Sequence, residues 1–180
     1  MNALRHIQTS RLVLSVPTDD DAEEIFARYA GDEDVTRFLS WPHHRSLQDT
    51  RAFVAFSIAE WQRWPAGPYL IRTRDDGRLV GGTGLSFDRP DEAMTGYVLA
   101  KDAWGLGYAT EVLRAMVDLS QQLGLARLFA LCHPAHSASL HVLEKCDFTQ
   151  DTTWSGRAVF PNLPPGVPQT ALCYERAFRA

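Results

Sequence analysis

Apolar residues along this chain keep two rhythms, and the switches between them divide it into elements. From Ser10 to Val16 apolar and polar positions alternate, with Leu12 and Leu14 on one face, which predicts a first strand that Pro17 ends. Thr18 and the three aspartates behind it suit a helix start, since a hydroxyl and acids in the first turn complement free amides. Ile25, Phe26 and Tyr29 give that helix its apolar side. A second helix is predicted from about Gln48 to Arg63, with Phe53, Phe56, Ile58 and Trp61 as core contacts. Between the two helices lies an aromatic, histidine-bearing loop from Phe38 to Ser46.

Alternation returns in Tyr69 to Arg74 and Leu79 to Phe87, two strands whose link through Asp75, Asp76 and Gly77 has hairpin composition. A turn at Arg89, Pro90 and Asp91 precedes a strand from Thr95 to Ala100. The rhythm then becomes helical: Ala109, Val112, Leu113, Met116, Val117 and Leu123 form one buried stripe, Glu111, Arg114, Asp118 and Gln121 take the other side, and Gly124 closes the helix. Leu128 to Cys132 is a short apolar run suited to a strand buried on both faces, and Ser137 to Lys145 is helical in character. Phe148 to Thr152 and Ala171 to Ala177 supply final strands, separated by the proline-rich loop from Pro161 to Pro168.

The chemistry concentrates where the strand of Thr95 to Ala100 gives way to the helix. Trp104 to Glu111 reads WGLGYATE, and Gly105 and Gly107, lacking a Cβ, let a tight turn bring a diphosphate onto the amides of Leu106 to Thr110 at the positive end of the helix. A dinucleotide fingerprint fits poorly, because several strands precede the turn and the next strand ends in Cys132 and His133 instead of the required acid. A phosphate-binding P-loop is excluded by the lack of a Gly-Lys-Ser or Gly-Lys-Thr element.

Length and composition narrow the rest. The chain has 180 residues, expected to form one domain over 1–180, and its 45% hydrophobic share is ordinary for a globular protein. No run approaches the ~20 apolar residues of a membrane span, and the first residues lack the apolar centre of a signal peptide, so a cytoplasmic protein is expected. Cys132, Cys146 and Cys173 are too few and too scattered for a disulfide framework and suit buried reduced thiols. The net charge of -4 gives no general attraction for nucleic acid and leans toward cationic substrates.

In order and spacing, the pieces TSRLVLSVPTDDDAEEIF, RLVGGTGL, GYVLAKDAWGLGYATE and HPAHSASLHVLEKCDF resemble the GNAT acetyltransferases, most of all the RimJ/RimL branch. The resemblance covers nearly the whole chain. It implies an α/β fold: a mixed, largely antiparallel twisted sheet with helices on both faces and a splayed strand pair for the coenzyme. It implies acetyl-coenzyme A as donor, no metal, and a primary amine as acceptor, either a protein N-terminus or a small molecule. A homodimer is compatible with the branch. The diphosphate is then expected on Leu106, Gly107, Tyr108, Ala109 and Thr110, and the pantetheine arm between Tyr97 to Ala100 and Leu128 to Cys132. Edge groups that lose strand partners there can bond the amide-bearing arm. Main-chain donors of Val98, Leu99 and Ala100 are expected to polarise the thioester carbonyl.

The chain departs from the family pattern at four positions. Trp104 stands where Gln or Arg often begins the phosphate motif, His136 replaces an Asn of the later helix, Met94 replaces a glutamate before the GY pair, and Asp147 replaces a glycine. His136 is still expected beside the coenzyme. Ser139 keeps a hydroxyl that can protonate the departing thiolate, against the plainer expectation that a serine in a first helical turn caps amides. Trp41, His43, His44 and Asp88 are expected around the acceptor pocket, where an imidazole titrating at about 6.5 can take a proton through water. His133, His136 and His141 have poor metal spacing, since the last two are five positions apart and do not share a helical face. A noncatalytic acyl-coenzyme A binding or regulatory module is the alternative to an enzyme.

Overall fold

The structure, a computed structural model, describes residues 5–154, 156, 158–164 and 170–178. One sheet of eight strands runs through it, in the order β1 (His6–Gln8), β2 (Leu12–Ser15), β3 (Pro68–Thr73), β4 (Leu79–Arg89), β5 (Glu92–Leu99), β6 (Arg127–Cys132), β8 (Leu172–Ala177), β7 (Thr149–Gln150). Every neighbouring pair is antiparallel except β5 and β6, which run parallel because a helix crosses over between them. The mixed, largely antiparallel sheet expected from the sequence is therefore the observed one.

Helices cover both faces because the strands alternate which side they make apolar. On one side α1 (Ala22–Ile25), its π-helical continuation Phe26–Ala30 and α3 (Leu47–Arg63) pack on Leu70 and Leu79 through Ile25, Tyr29 and Val54. On the other, α4 (Tyr108–Gln122) lays Val112, Leu113, Met116 and Val117 over Leu12, Leu14, Ile71, Val80 and Leu128. The stripe predicted for α4 is the stripe that is buried. A second helix on this side, α5 (Ser137–Lys145), packs against α4 and buries Leu143.

Several expectations are corrected. Helix α3 begins one residue early, at Leu47, because the Asp49 carboxylate accepts from the amides of Arg45 and Ser46, both at 2.9 Å, and fixes the first turn. Phe56 on that helix is 55% exposed and contributes no core contact, whereas Trp61 is buried. Strand β6 is fully buried on one face only; Arg127, Phe129 and Leu131 are half-buried. Strand β7 keeps two of the five predicted residues. A short helix, α2 (Glu33–Thr36), and strand β1 carry too few apolar residues to show any period, and the sequence reading passes over them. Of the proline-rich loop, residues 165–168 lie outside the described residues.

Candidate active site

Strands β5 and β6 hold together at only three positions, Glu92 with Arg127, Ala93 with Leu128 and Met94 with Phe129. Beyond them the two strands diverge, each paired on its outer flank, β5 to β4 and β6 to β8. The result is a wedge whose inner edges carry main-chain groups without strand partners. A groove of about 330 Å³ occupies it, bordered by Gly96, Tyr97 and Val98 from one edge, Ala130 and Cys132 from the other, His136 at the entry to α5 and Ser139 within α5.

Which amides face the wedge follows from strand alternation. The Ala100 amide donates to the Val80 carbonyl at 2.9 Å, and the space a Cβ would need at Gly81 is filled by the Val98 carbonyl, so residues 98 and 100 point at β4. Tyr97 and Leu99 therefore direct their main-chain groups into the wedge. This corrects the expectation that Val98, Leu99 and Ala100 all present donors: Ala100 and Val98 are committed to the sheet. The Leu99 carbonyl is taken as well, by the Trp104 indole at 2.7 Å, which leaves the Leu99 amide.

At the wide end of the wedge the chain makes a 3-10 turn, Lys101–Ala103, and then the glycine turn. Gly105 and Gly107 have φ of +74° and +80°, the left-handed region that side chains resist, and α4 starts immediately after at Tyr108. Helix geometry leaves the first-turn amides of Tyr108, Ala109 and Thr110 without intrahelical acceptors. Main-chain donors, a helix N-terminus and an open wedge together fit a phosphate-bearing, amide-containing thioester.

Ser139 sits in the first turn of α5, but its hydroxyl is no cap. It meets the Tyr97 hydroxyl at 3.0 Å across the groove. Burial is the main influence on Tyr97 and raises its pKa, outweighing the bond from Ser139, so the phenol keeps its proton. His136 borders the same groove, stacked on Phe38 with ring centroids 4.8 Å apart. Burial, then the neighbouring His133, hold its imidazole below the ordinary range and favour the neutral ring.

Trp41 and Phe53 border this groove and also a second, outer cleft of about 900 Å³ that His43, His44, Phe56 and Pro161 to Pro164 line. Asn162 builds the cleft: its side-chain oxygen accepts from the His43 amide at 2.9 Å while its nitrogen donates to the carbonyls of Thr36, at 2.7 Å, and Trp41, at 2.9 Å. His44 is buried, with Nδ1 2.8 Å from the Thr50 hydroxyl, and its pKa is lowered by that burial despite the opposing charge of Asp49. It lines the outer cleft while its ring packs against Trp41 and Phe53. Asp88 is exposed near the far end of β4, toward the closed end of the wedge, and borders neither cavity. Its expected place at the acceptor pocket is not met, because the strand carries it past the opening.

Two residues escaped the sequence reading, as did the pairing of the Tyr97 hydroxyl with Ser139: Asn162, and Glu111, which is no solvent-facing helix residue but the acceptor of a hydrogen-bond cluster from Thr9, Ser10 and Arg11. Among the described residues no group of three His, Cys, Asp or Glu could hold a metal ion, and no helix is long and apolar enough to cross a membrane. The cysteines are free and buried, and burial raises the pKa of each.

A sheet wedged open beside a glycine turn and helix N-terminus defines a coenzyme A-dependent acyltransferase class. Residues 11–149 match the family described as the acetyltransferase (GNAT) domain. The chain belongs to that family and is an acetyl-CoA-dependent N-acetyltransferase. It is 30% identical over 148 residues to the uncharacterized N-acetyltransferase YoaA of Bacillus subtilis (strain 168), covering 81% of this chain and 83% of that protein. Its fold is that of RimL, a ribosomal L7/L12 alpha-N-protein acetyltransferase solved with coenzyme A, with a TM-score of 0.81, 22% identity, and 96% and 97% of the two chains covered. The microcin C7 self-immunity acetyltransferase MccE, solved with acetyl-CoA and AMP, has a TM-score of 0.80 at 18% identity, covering 94% of each chain.

Proposed function

We propose that the protein moves the acetyl group to a primary amine by direct attack, with both substrates held at once. The observation that carries this reading is that Trp41 and Phe53 border both cavities, so that the outer cleft lies directly against the groove in the wedge. A donor in the wedge and an acceptor entering through the cleft would meet there without any covalent acyl-enzyme. The acceptor is a protein N-terminus, as the RimL likeness suggests, or a small amine, and the chain acts as one domain over residues 1–180.

In this reading Leu106, Gly107, Tyr108, Ala109 and Thr110 hold the diphosphate through their amides, while Tyr97 and Leu99 bond the pantetheine arm and the thioester oxygen. Acetyl-CoA supplies an activated acyl group and a thiolate leaving group. The side chains of Val98, Ala130 and Cys132 line the passage, and His136 closes it from the residue that precedes α5. As the carbon–sulfur bond breaks, Ser139 gives its hydroxyl proton to sulfur and takes one from the Tyr97 hydroxyl beside it, which solvent restores. The proton lost by the attacking nitrogen passes to water in the cleft, with His43 bordering it.

Coenzyme release measured against a panel of peptides and small amines tests the assignment, followed by Ser139→Ala and Tyr97→Phe. Release with at least one amine is expected, and each variant should lower kcat by about 100-fold with coenzyme affinity unchanged. Binding of acetyl-CoA without release by any amine would instead favour a binding module. Near-normal kcat in Ser139→Ala would remove the acid role.

A further inference from the structure

The β1–β2 loop lies about a hundred residues before the glycine turn in sequence, yet it is bonded into it. Glu111, in the first turn of α4, accepts on Oε1 from the hydroxyls of Thr9, at 2.5 Å, and Ser10, at 3.0 Å, and from the Arg11 amide at 2.9 Å. On Oε2 it accepts from Arg11 Nε at 2.8 Å and Nη2 at 2.7 Å. The remaining arm of the same guanidinium, Nη1, donates to the Leu106 carbonyl at 2.8 Å, and the plane lies 4.7 Å from the Tyr108 ring centroid. Arg11 thus ties the carbonyl before Gly107, the first residue of α4, and the carboxylate one turn into α4.

The consequence follows from peptide geometry. All described peptide bonds are trans, so the carbonyl of Leu106 and the amide of Gly107 point in opposite directions from one rigid plane. A guanidinium that captures the carbonyl on the β1–β2 side turns the Gly107 N–H to the other. A free carbonyl in so short a glycine turn could swing outward and present negative charge to an anion. Glu111 poses a second problem, since a bare carboxylate in the first turn would repel a diphosphate. The same guanidinium neutralises it and holds it on the loop side.

We propose that Arg11 and Glu111 are positioning residues for the coenzyme, setting the Leu106–Gly107 peptide so that its N–H faces the diphosphate. This rests on the reading that the glycine turn takes that diphosphate. The role is separate from catalysis: neither side chain borders the wedge, and neither is expected to touch the reacting atoms.

Two donors separate the possibilities: acetyl-CoA, and acetyl-pantetheine, which carries the thioester and the arm but no diphosphate. For Arg11→Gln and Glu111→Gln, KM for acetyl-CoA should rise about tenfold with kcat within about twofold, and KM for acetyl-pantetheine should stay at the parent value. Arg11→Lys keeps the charge but cannot bridge Leu106 and both Glu111 contacts at once, so it should fall between, and it serves if the glutamine variant fails to fold. Equal loss with both donors would overturn the proposal by making the cluster a general brace. So would a folded variant whose preference for acetyl-CoA is intact. A parent enzyme that uses the two donors equally well would overturn the diphosphate reading itself, a result visible before any variant is made.

Discussion

The two halves of the proposed site would recognise their substrates by different means. Around the wedge and glycine turn the groups proposed to bind belong to the main chain: amides of Tyr97, Leu99 and the first turn of α4, aimed by strand divergence and by two glycines at positive φ. In the outer cleft the lining is side chain, Trp41, His43, Phe53 and Phe56 from two segments, with Pro161 to Pro164 from a third. A main-chain site needs a backbone path and little else from its side chains. A side-chain site needs identities at scattered positions and something to hold the segments together, which here is Asn162. On the proposed reading, the half assigned to the coenzyme is fixed by its backbone path, and the half assigned to the acceptor amine is where substitutions would change specificity.

That contrast breaks most visibly at Gly107. A valine there must adopt φ near +80°, with its Cβ 3.5 Å from Arg11 Nη2, so the turn will distort. Coenzyme affinity by calorimetry should fall about 100-fold or more, roughly 2.7 kcal/mol, while acceptor specificity is kept. A folded valine variant with parental affinity would show that the turn does not depend on its backbone.

A smaller effect is expected in the other half. Asn162→Ala removes the bonds to Thr36, Trp41 and His43, and the acceptor KM should rise about tenfold with the coenzyme KM unmoved. If both constants rise together, the halves are not separable.

The smallest concerns acid. Burial alone would raise the pKa of Glu111, but its bonds from Thr9, Arg11 and Ser10 bring it from the ordinary 4.5 to about 2. A folded-state value below the unfolded one gives stability that is complete above about pH 4.5 and fades as pH falls toward 2. Allowing for screening around the half-exposed Arg11, the contribution is about 1–2 kcal/mol. Urea unfolding of the parent and Glu111→Gln should converge progressively as pH falls from about 5 to about 2. Curves that stay parallel would mean that Glu111 titrates normally.

The same contrast governs what could be read from the sequence. The α4 stripe, the β3–β4 hairpin and the glycine turn were legible because each is local: a 3.6-residue period, a turn composition, a missing Cβ. The start of β5 was not, because Glu92 to Met94 reads as the end of a turn until β6 arrives beside it. Glu111 occupies a polar helix position like any solvated acid, and only the fold brings Thr9 to Arg11 against it. Asn162 carries no local signal, and Tyr97 looked like a strand aromatic until α5 placed Ser139 opposite. Phe56 satisfied the helical period and still faces outward, since its position meets the open cleft instead of the sheet. Asp147 holds the left-handed φ of +60° that the family's glycine would take, a conformation Asp tolerates better than most residues.

The wedge also bears on solubility. Unpaired strand edges invite other strands, and a sheet left open in its middle has two of them. Here both edges face each other across a narrow angle, walled by Leu143 and Ser139 of α5 on one side and by Trp41 and Phe53 on the other. An invading strand needs about 4.8 Å of clearance to each neighbour along its whole length, which two edges converging to a paired vertex cannot give. A slender flexible arm, such as the pantetheine proposed for this wedge, can enter where a polypeptide strand cannot, so an opening wide enough for the one still excludes the other.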